Sequence, residues 1–334
     1  MANPKYSVIV PVYNRNDEVA DLLASLDRQT ERDFEVILVE DGSTEPCTDA
    51  VERFGGNLNL QYYHKSNEGR SIARNYGIER SNGDMLIFFD SDCVIPDNYF
   101  YKLSKILESN PLDCFGGPDA AHESFSSVQK AINFAMTSFL TTGGIRGGKL
   151  SMEKFTPRSF NMGYTREVYN RIGGFREMFS EDIDMSMRIR NAGFQIGLIR
   201  EAAVFHKRRV NFKKFLRQVY VFGMSRITLK LLYPDSLKLV HALPAVAVIA
   251  GLACVLLGIF LSPWWLLPIG LYLAAIFISA LAGTRSVKIA ALALPASIIQ
   301  ICGYGCGFLK AWFTKIVLRR GRNVQEEIEM RRGK

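Results

Sequence analysis

Residues 6–43 read "YSVIVPVYNRNDEVADLLASLDRQTERDFEVILVEDGS", and the switch of pattern within them decides the architecture. Tyr6 to Tyr13 is a β-branched run that stops at the polar Asn14, as a strand stops at a turn. Val19, Leu22, Leu23 and Leu26 then recur at helical spacing, which predicts an amphipathic helix. Phe34 to Val39 predicts a second strand, ending in Glu40-Asp41-Gly42-Ser43. "LNLQYYH" (58–64), the helical "SIARNYGIERS" (71–81) and "DMLIFFDSD" (84–92) continue the alternation. Strands separated by helices predict an α/β domain with a parallel sheet covered on both faces. Ligands of such sheets lie beyond the carboxyl ends of the strands. Polar clusters stand at those ends: Tyr13-Asn14, Asp41-Gly42 and Asp90-Ser91-Asp92.

Further along, "FNMGYTREVYNRIGGF" (160–175) predicts a strand, a turn and a helix ended by Gly173-Gly174. "SEDIDMSMRIRNAGF" (180–194) predicts a helix with Ser180 as N-cap, closed at Gly193. "FKKFLRQVYVFGMSRITLKLL" (212–232) mixes cations and apolar residues at helical period, as a helix lying at a membrane surface does.

From there the chain is almost uncharged. "LVHALPAVAVIAGLACVLLGIFL" (239–261) and "PWWLLPIGLYLAAIFISALAG" (263–283) are each long enough to cross a bilayer, with Trp264 and Trp265 at an interfacial level. A third run, 287–309, has the length and is expected to span as well, although Pro295 and the glycines 303, 305 and 307 weaken it as a plain helix. Most of the net charge of +8 lies beside these runs. That placement suits anionic lipid and not nucleic acid, and predicts that the flanks are cytoplasmic. Three full crossings would leave the basic tail on the opposite face, so either the third run is re-entrant or the tail departs from the rule. The expected division is an α/β domain over 1–210, an interfacial helical segment over 211–237, a transmembrane region over 238–313 and a basic tail over 314–334. The start "MANPKYSVIV" lacks the pattern of a secretory signal, and six cysteines show no C-x-x-C spacing, so no disulfide framework or zinc site is expected.

Asp90 and Asp92, one residue apart, can hold a hard divalent cation, although acids also favour turns. Glu181 and Asp182 fall in the first turn of a helix, where the dipole favours acids, and where a carboxylate can also serve as general base. Arg70 and Arg74 in "NEGRSIARNYGI" suit an anion at a helix start or a plain helix surface. His206 reads as a metal ligand or as an edge histidine. The glycine pattern fits neither a dinucleotide fingerprint nor a P-loop.

Taken in order, "YSVIVPVYNR", "VEDGST", "NEGRSIARNYGI", "FFDSDCVIPDNY", "GGF" with "SEDIDMSMRIRNAGF", and "AAVFH" resemble the successive motifs of family 2 glycosyltransferases of the GT-A fold. The likeness runs from residue 6 to about 206. It implies a nucleotide-diphosphate sugar as donor and inversion at the anomeric carbon. It further implies that Pro11, Tyr13 and Asp41 line the nucleoside pocket, with Arg70 or Arg74 on the base or phosphate side. Asp90 would sit toward ribose and metal, Asp92 and His206 would ligate Mn²⁺ or Mg²⁺, and Asp182 would be the general base with Glu181 beside it. Gly163 would belong to a loop facing donor and acceptor. The Q-x-x-R-W of processive synthases is missing, since "QVYVFG" (218–223) lacks Arg and Trp. Glu40 stands where many relatives carry Asp. The expectation is an integral membrane enzyme of bacterial inner-membrane type with a cytoplasmic catalytic domain. It would use a UDP-sugar and a glycan or lipid-linked acceptor, in cell-surface polysaccharide or glycolipid synthesis. A polyprenyl-phosphate acceptor, or a non-catalytic membrane subunit that binds a nucleotide sugar, are the competing readings.

Overall fold

The structure, a computed structural model, describes residues 3–120, 126–143, 155–206 and 211–320. Its contacts divide into two units, Met1–His122 with Ser151–Lys207, and Glu123–Leu150 with Arg208–Lys334.

The first unit is built from β1 (Tyr6–Val12), α1 (Asn16–Asp27), β2 (Phe34–Asp41), α2 (Thr48–Phe54), β3 (Leu60–Lys65), α3 (Arg70–Glu79), β4 (Met85–Phe89), β5 (Cys93–Val94), α4 (Tyr99–Ser109), β6 (Cys114–Gly116) and β7 (Asp119–Ala120). After α5 (Ser127–Thr137) and α6 (Phe139–Thr142), which belong to the second unit, it resumes with β8 (Asn161–Thr165), α7 (Arg166–Ile172), α8 (Glu181–Asn191), β9 (Ile196–Leu198) and β10 (Val204–His206). Seven strands form one sheet in the order β3-β2-β1-β4-β8-β6-β9, and β5-β10-β7 form a small second sheet. Successive strand residues point to opposite faces, and both faces are covered. Tyr6, Val8, Val10 and Val12 enter one apolar cluster with α1 and α4, whereas Ile9 enters the other with α3, α7 and α8. This is why β1 and β2 are apolar almost without interruption.

The sheet is not wholly parallel. β1 runs parallel to β2 and β4, and β2 to β3, but β8 is antiparallel to both β4 and β6. Parallel neighbours need a crossover connection. β8 enters the sheet after the excursion through α5 and α6, so no such crossover fixes its direction.

The second unit contains α5, α6, α9 (Phe212–Leu232), α10 (Leu239–Phe260), α11 (Leu267–Thr284) and α12 (Val287–Ala311), which runs on into a wider turn over Trp312–Val317. Three segments, Leu239–Phe260, Pro263–Thr284 and Val287–Val317, have the length and hydropathy of membrane spans. The third is a continuous helix through Pro295 rather than an interrupted one. Its glycines mark places where neighbours approach closely: a Cβ on Gly307 would stand 2.0 Å from the Tyr220 carbonyl oxygen of α9, and one on Gly305 2.6 Å from that of Pro244 in α10. Gly223 of α9 returns the contact, its Cβ position being 2.0 Å from the Tyr304 carbonyl oxygen. Small residues that let backbones meet are the usual basis of helix pairing in lipid. α9 therefore buries Phe215, Val219, Gly223 and Ile227 on a helical period along α12, rather than resting on a surface by itself. The basic tail from residue 321 lies outside the described residues.

Candidate active site

Because β1, β2 and β4 are parallel neighbours, their carboxyl ends share one edge, and the loops that follow carry the expected polar residues. Pro11 is still within β1, paired with Val39, while Tyr13 just past the strand is 51 % exposed. Asn14, at φ +51°, donates its backbone amide to Ser43 Oγ at 2.7 Å, and its Oδ1 accepts from the Thr44 amide at 2.8 Å, tying the first two loops together. Glu40 is buried. It accepts from the Cys47 amide at 2.9 Å, the Tyr62 hydroxyl at 3.2 Å and the Ser43 hydroxyl, so it builds the loop after β2 and does not face the edge.

Asp41 is buried as well, and both its oxygens are used internally. Oδ1 accepts from Lys65 Nζ at 2.8 Å and the Glu68 amide at 3.0 Å, and Oδ2 from the Gly69 amide at 2.8 Å. It thereby fixes the loop that opens α3, where Gly69 takes φ +98°.

That loop delivers two arginines with different tasks. Arg74 is almost wholly buried, and its guanidinium joins Glu181 Oε1 (Nη1, 3.1 Å) to Asp90 Oδ1 (Nη2, 2.7 Å), above the Phe175 ring. Of the two arginines, either of which the resemblance puts on the base or phosphate side, Arg74 is an internal bridge between the turn after β4 and the start of α8. Arg70 is half-exposed and reaches Glu181 Oε2 at 2.7 Å. Burial alone would lower its pKa, but Glu181, Asp90 and Asp182 together hold it above the ordinary value.

Glu181 thus takes two arginines, with Ser159 Oγ 3.5 Å away, and serves to position them. Asp182, the next residue, is held differently. Its Oδ1 accepts from the Ile183 amide at 2.8 Å and its Oδ2 from Arg158 Nη1 at 3.3 Å. Burial would raise the Asp182 carboxyl, yet Arg158 and Arg70 outweigh it and hold the group below the usual carboxylate value. Ser180 occupies the N-cap position, but at φ +64°, and makes no side-chain cap bond; its carbonyl accepts from the Ile183 and Asp184 amides. Asp184, fully buried, binds Arg176 and Arg188, and so anchors α8 to the Gly173-Gly174 turn.

Arg158 was not singled out in the sequence. It lies on a tight turn closed by the Asn161 amide on its carbonyl (2.9 Å), and Asn161 is locked by Tyr99 Oη (2.7 Å) and the Ala202 carbonyl (2.7 Å). The only signal was an arginine just ahead of a strand. Gly163 is corrected: it lies in mid-β8, between Ile87 and Phe115, and not on a loop. A Cβ there would stand 2.3 Å from the Phe115 ring, which is the physical reason for the glycine.

Of the expected metal ligands, Asp90 and Asp92 lie on the loop after β4 and His206 ends β10. Asp92 Oδ2 lies 3.9 Å from Arg15 Nη1, linking the β1 and β4 loops, while Asp90 is engaged by Arg74. The backbone of His206 pairs with Cys93, the residue after Asp92; its side chain lies outside the described residues. Among the described residues no three His, Cys, Asp or Glu groups converge as a metal site. Asp90 and Asp92 offer oxygen donors of the kind Mn²⁺ and Mg²⁺ take, and the strand that ends in His206 pairs beside the loop that carries them.

The chain is 39 % identical over 110 residues to an uncharacterised glycosyltransferase of Rickettsia bellii, covering 33 % of this chain and 16 % of that protein. It is 35 % identical over 114 residues to the uncharacterised glycosyltransferase EpsJ of Bacillus subtilis, covering 34 % of this chain and 33 % of that one. The matches thus span a third or less of these relatives' own length. Among solved structures it resembles the mannosyltransferase PcManGT from Pyrobaculum calidifontis in complex with GDP-Man and Mn²⁺, with TM-score 0.55 and 18 % identity over 96 % of this chain and 88 % of that one. That likeness shows the GT-A fold. The sequence model described as glycosyl transferase family 2 matches residues 7–173, half of the 334-residue chain. The chain belongs to glycosyl transferase family 2.

Proposed function

We propose that the protein is an inverting glycosyltransferase that moves a sugar from a nucleotide-diphosphate donor, a UDP-sugar, onto a hydroxyl of a glycan or lipid-linked acceptor. The observation that carries this is the Arg74 bridge: it ties Asp90, on the donor side, to Glu181, whose neighbour Asp182 leads α8. Tyr13 offers an exposed aromatic face for the base, with Pro11 behind it, and Asp41 shapes the loop that brings Arg70 to the phosphates. Asp90, Asp92 and His206 would hold Mn²⁺ or Mg²⁺, which when bound neutralises charge on the departing diphosphate. Arg70 adds fixed positive charge at the same place. Asp182 takes the proton of the acceptor hydroxyl as that oxygen attacks the far side of the sugar, and one displacement inverts the centre. The catalytic unit would work in the cytoplasm beside the membrane, in cell-surface polysaccharide or glycolipid synthesis.

A polyprenyl-phosphate acceptor is the second reading, favoured by the Arg158–Asp182 pair: a phosphate oxygen needs no base, and Arg158 could meet it. Asp182→Asn separates the two. A loss of about 10²- to 10⁴-fold in turnover is expected for a hydroxyl acceptor, whereas near-normal turnover favours the phosphate. The main test is a donor screen with Mn²⁺ or Mg²⁺ that follows nucleotide release by wild type and Asp92→Ala. Release that Asp92→Ala leaves intact would remove the metal assignment. No release from any nucleotide sugar would favour a binding subunit without catalysis.

A further inference from the structure

α5 and α6 follow the β7 strand of the α/β unit in sequence, yet they pack with the C-terminal helices. Ala131, Ile132, Ala135 and Met136 share an apolar cluster with Ile289 and Ala296 of α12, and Phe134 packs on Ala280 of α11 with Ala290 and Ala293 of α12. The Tyr272 hydroxyl, on α11, donates to the Leu140 carbonyl at 3.0 Å. Tyr272 stands nine residues after Pro263 and twelve before Thr284 in its span. At 1.5 Å per residue that is about 13 Å from one end and about 18 Å from the other, near the middle of a hydrocarbon core of about 30 Å. At the other end of α6, a Cβ on Gly143 would meet Val240, in the first turn of α10, at 2.8 Å. Leu140 and Gly143 are three residues, about 4.5 Å along a helix, apart, so the segment lies in the leaflet in which α10 begins, between the levels of Val240 and Tyr272.

Its polar groups are arranged as the bilayer interior requires, where a backbone carbonyl finds no water. At the break between α5 and α6, Thr137 Oγ1 donates to the Asn133 carbonyl (2.9 Å), Thr141 Oγ1 to that of Ala135 (2.6 Å) and Thr142 Oγ1 to that of Ser138 (2.9 Å). Ser138 Oγ takes the Leu140 amide at 3.3 Å. At this break the outward side chains are apolar, Phe139 being 74 % exposed and Leu140 38 %, while the exposed Lys130 stands in the first turn of α5.

We propose that Ala131–Thr142 is inserted into one leaflet of the membrane, with Phe139 and Leu140 in contact with lipid acyl chains and Lys130 at the level of the headgroups. The inference rests on reading α10, α11 and α12 as spans, and the test separates the two. The full chain is reconstituted in phosphatidylcholine vesicles containing lipid with a diazirine midway along one acyl chain, irradiated, digested and read by mass spectrometry. Adducts at Phe139 and Leu140 are expected at the yield found for the exposed Leu252 and Ile259 of α10, and several-fold above that for Tyr101, exposed on α4. Yield at Phe139 no higher than at Tyr101, with Leu252 and Ile259 labelled, overturns the insertion. Stronger labelling of Phe139 by a headgroup diazirine than by the acyl probe overturns it too, in favour of surface contact. If Leu252 and Ile259 are themselves unlabelled, the span reading fails and takes this inference with it.

Discussion

Asp182 is the residue at which electrostatics and chemistry meet. Its carboxyl is pulled upward by burial and pulled down further by Arg158 and Arg70. A group with a depressed folded pKa stays ionised, and keeps its favourable contribution, until pH falls through that lowered value. With Asp182 as the proposed base, the acid limb of turnover should lie below the ordinary carboxylate range. Arg158→Gln leaves burial opposed mainly by Arg70 and the Ile183 amide, so a pH profile of kcat should show that limb moved to higher pH. Arg74→Met should instead appear in stability. It leaves Glu181 buried with one of its two arginines gone, a loss of about 3–5 kcal/mol for breaking a buried pair, measurable by urea unfolding. Residue identity was legible at Asp41, Asp90, Glu181 and Asp182 because those acids follow strands or open a helix. Their partners were not. Arg74 looks like any helix-surface arginine until α8 folds over it, and Arg158 comes to Asp182 only through a turn pinned by Tyr99 and Ala202.

At the level of elements, the period of apolar residues located β1, α1, β2 and the three long helices, since each depends only on its own stretch of chain. Strand direction does not. β8 reads as a strand, but its antiparallel pairing with β4 and β6 depends on where the chain has been in between. Glycines 303, 305 and 307 weaken a plain helix by local propensity; their neighbours make them contacts. Gly307→Ala should force α9 away from α12, at a cost of about 1–3 kcal/mol for overpacking. Gly251→Ala, with nothing within 4 Å of the added carbon, should leave thermal unfolding in detergent unchanged or slightly raised.

For the molecule as a whole, the spans expose large apolar side chains such as Leu252, Ile259 and Leu271, a surface suited to lipid. Washing membranes with alkaline carbonate should leave the full chain in the pellet, and its recovery in the supernatant would count against integral insertion. The two-unit division was only partly readable, because α5 and α6 sit in sequence between strands of the α/β sheet and pack elsewhere. One feature of the cleft acts at this scale also. Arg74 divides a single guanidinium between Asp90 and Glu181, so a ligand that draws Asp90 toward itself changes what Arg74 offers to the start of α8. On the proposed function, donor and acceptor should then not bind independently, and by reciprocity of linkage each would alter the other's dissociation constant by the same factor.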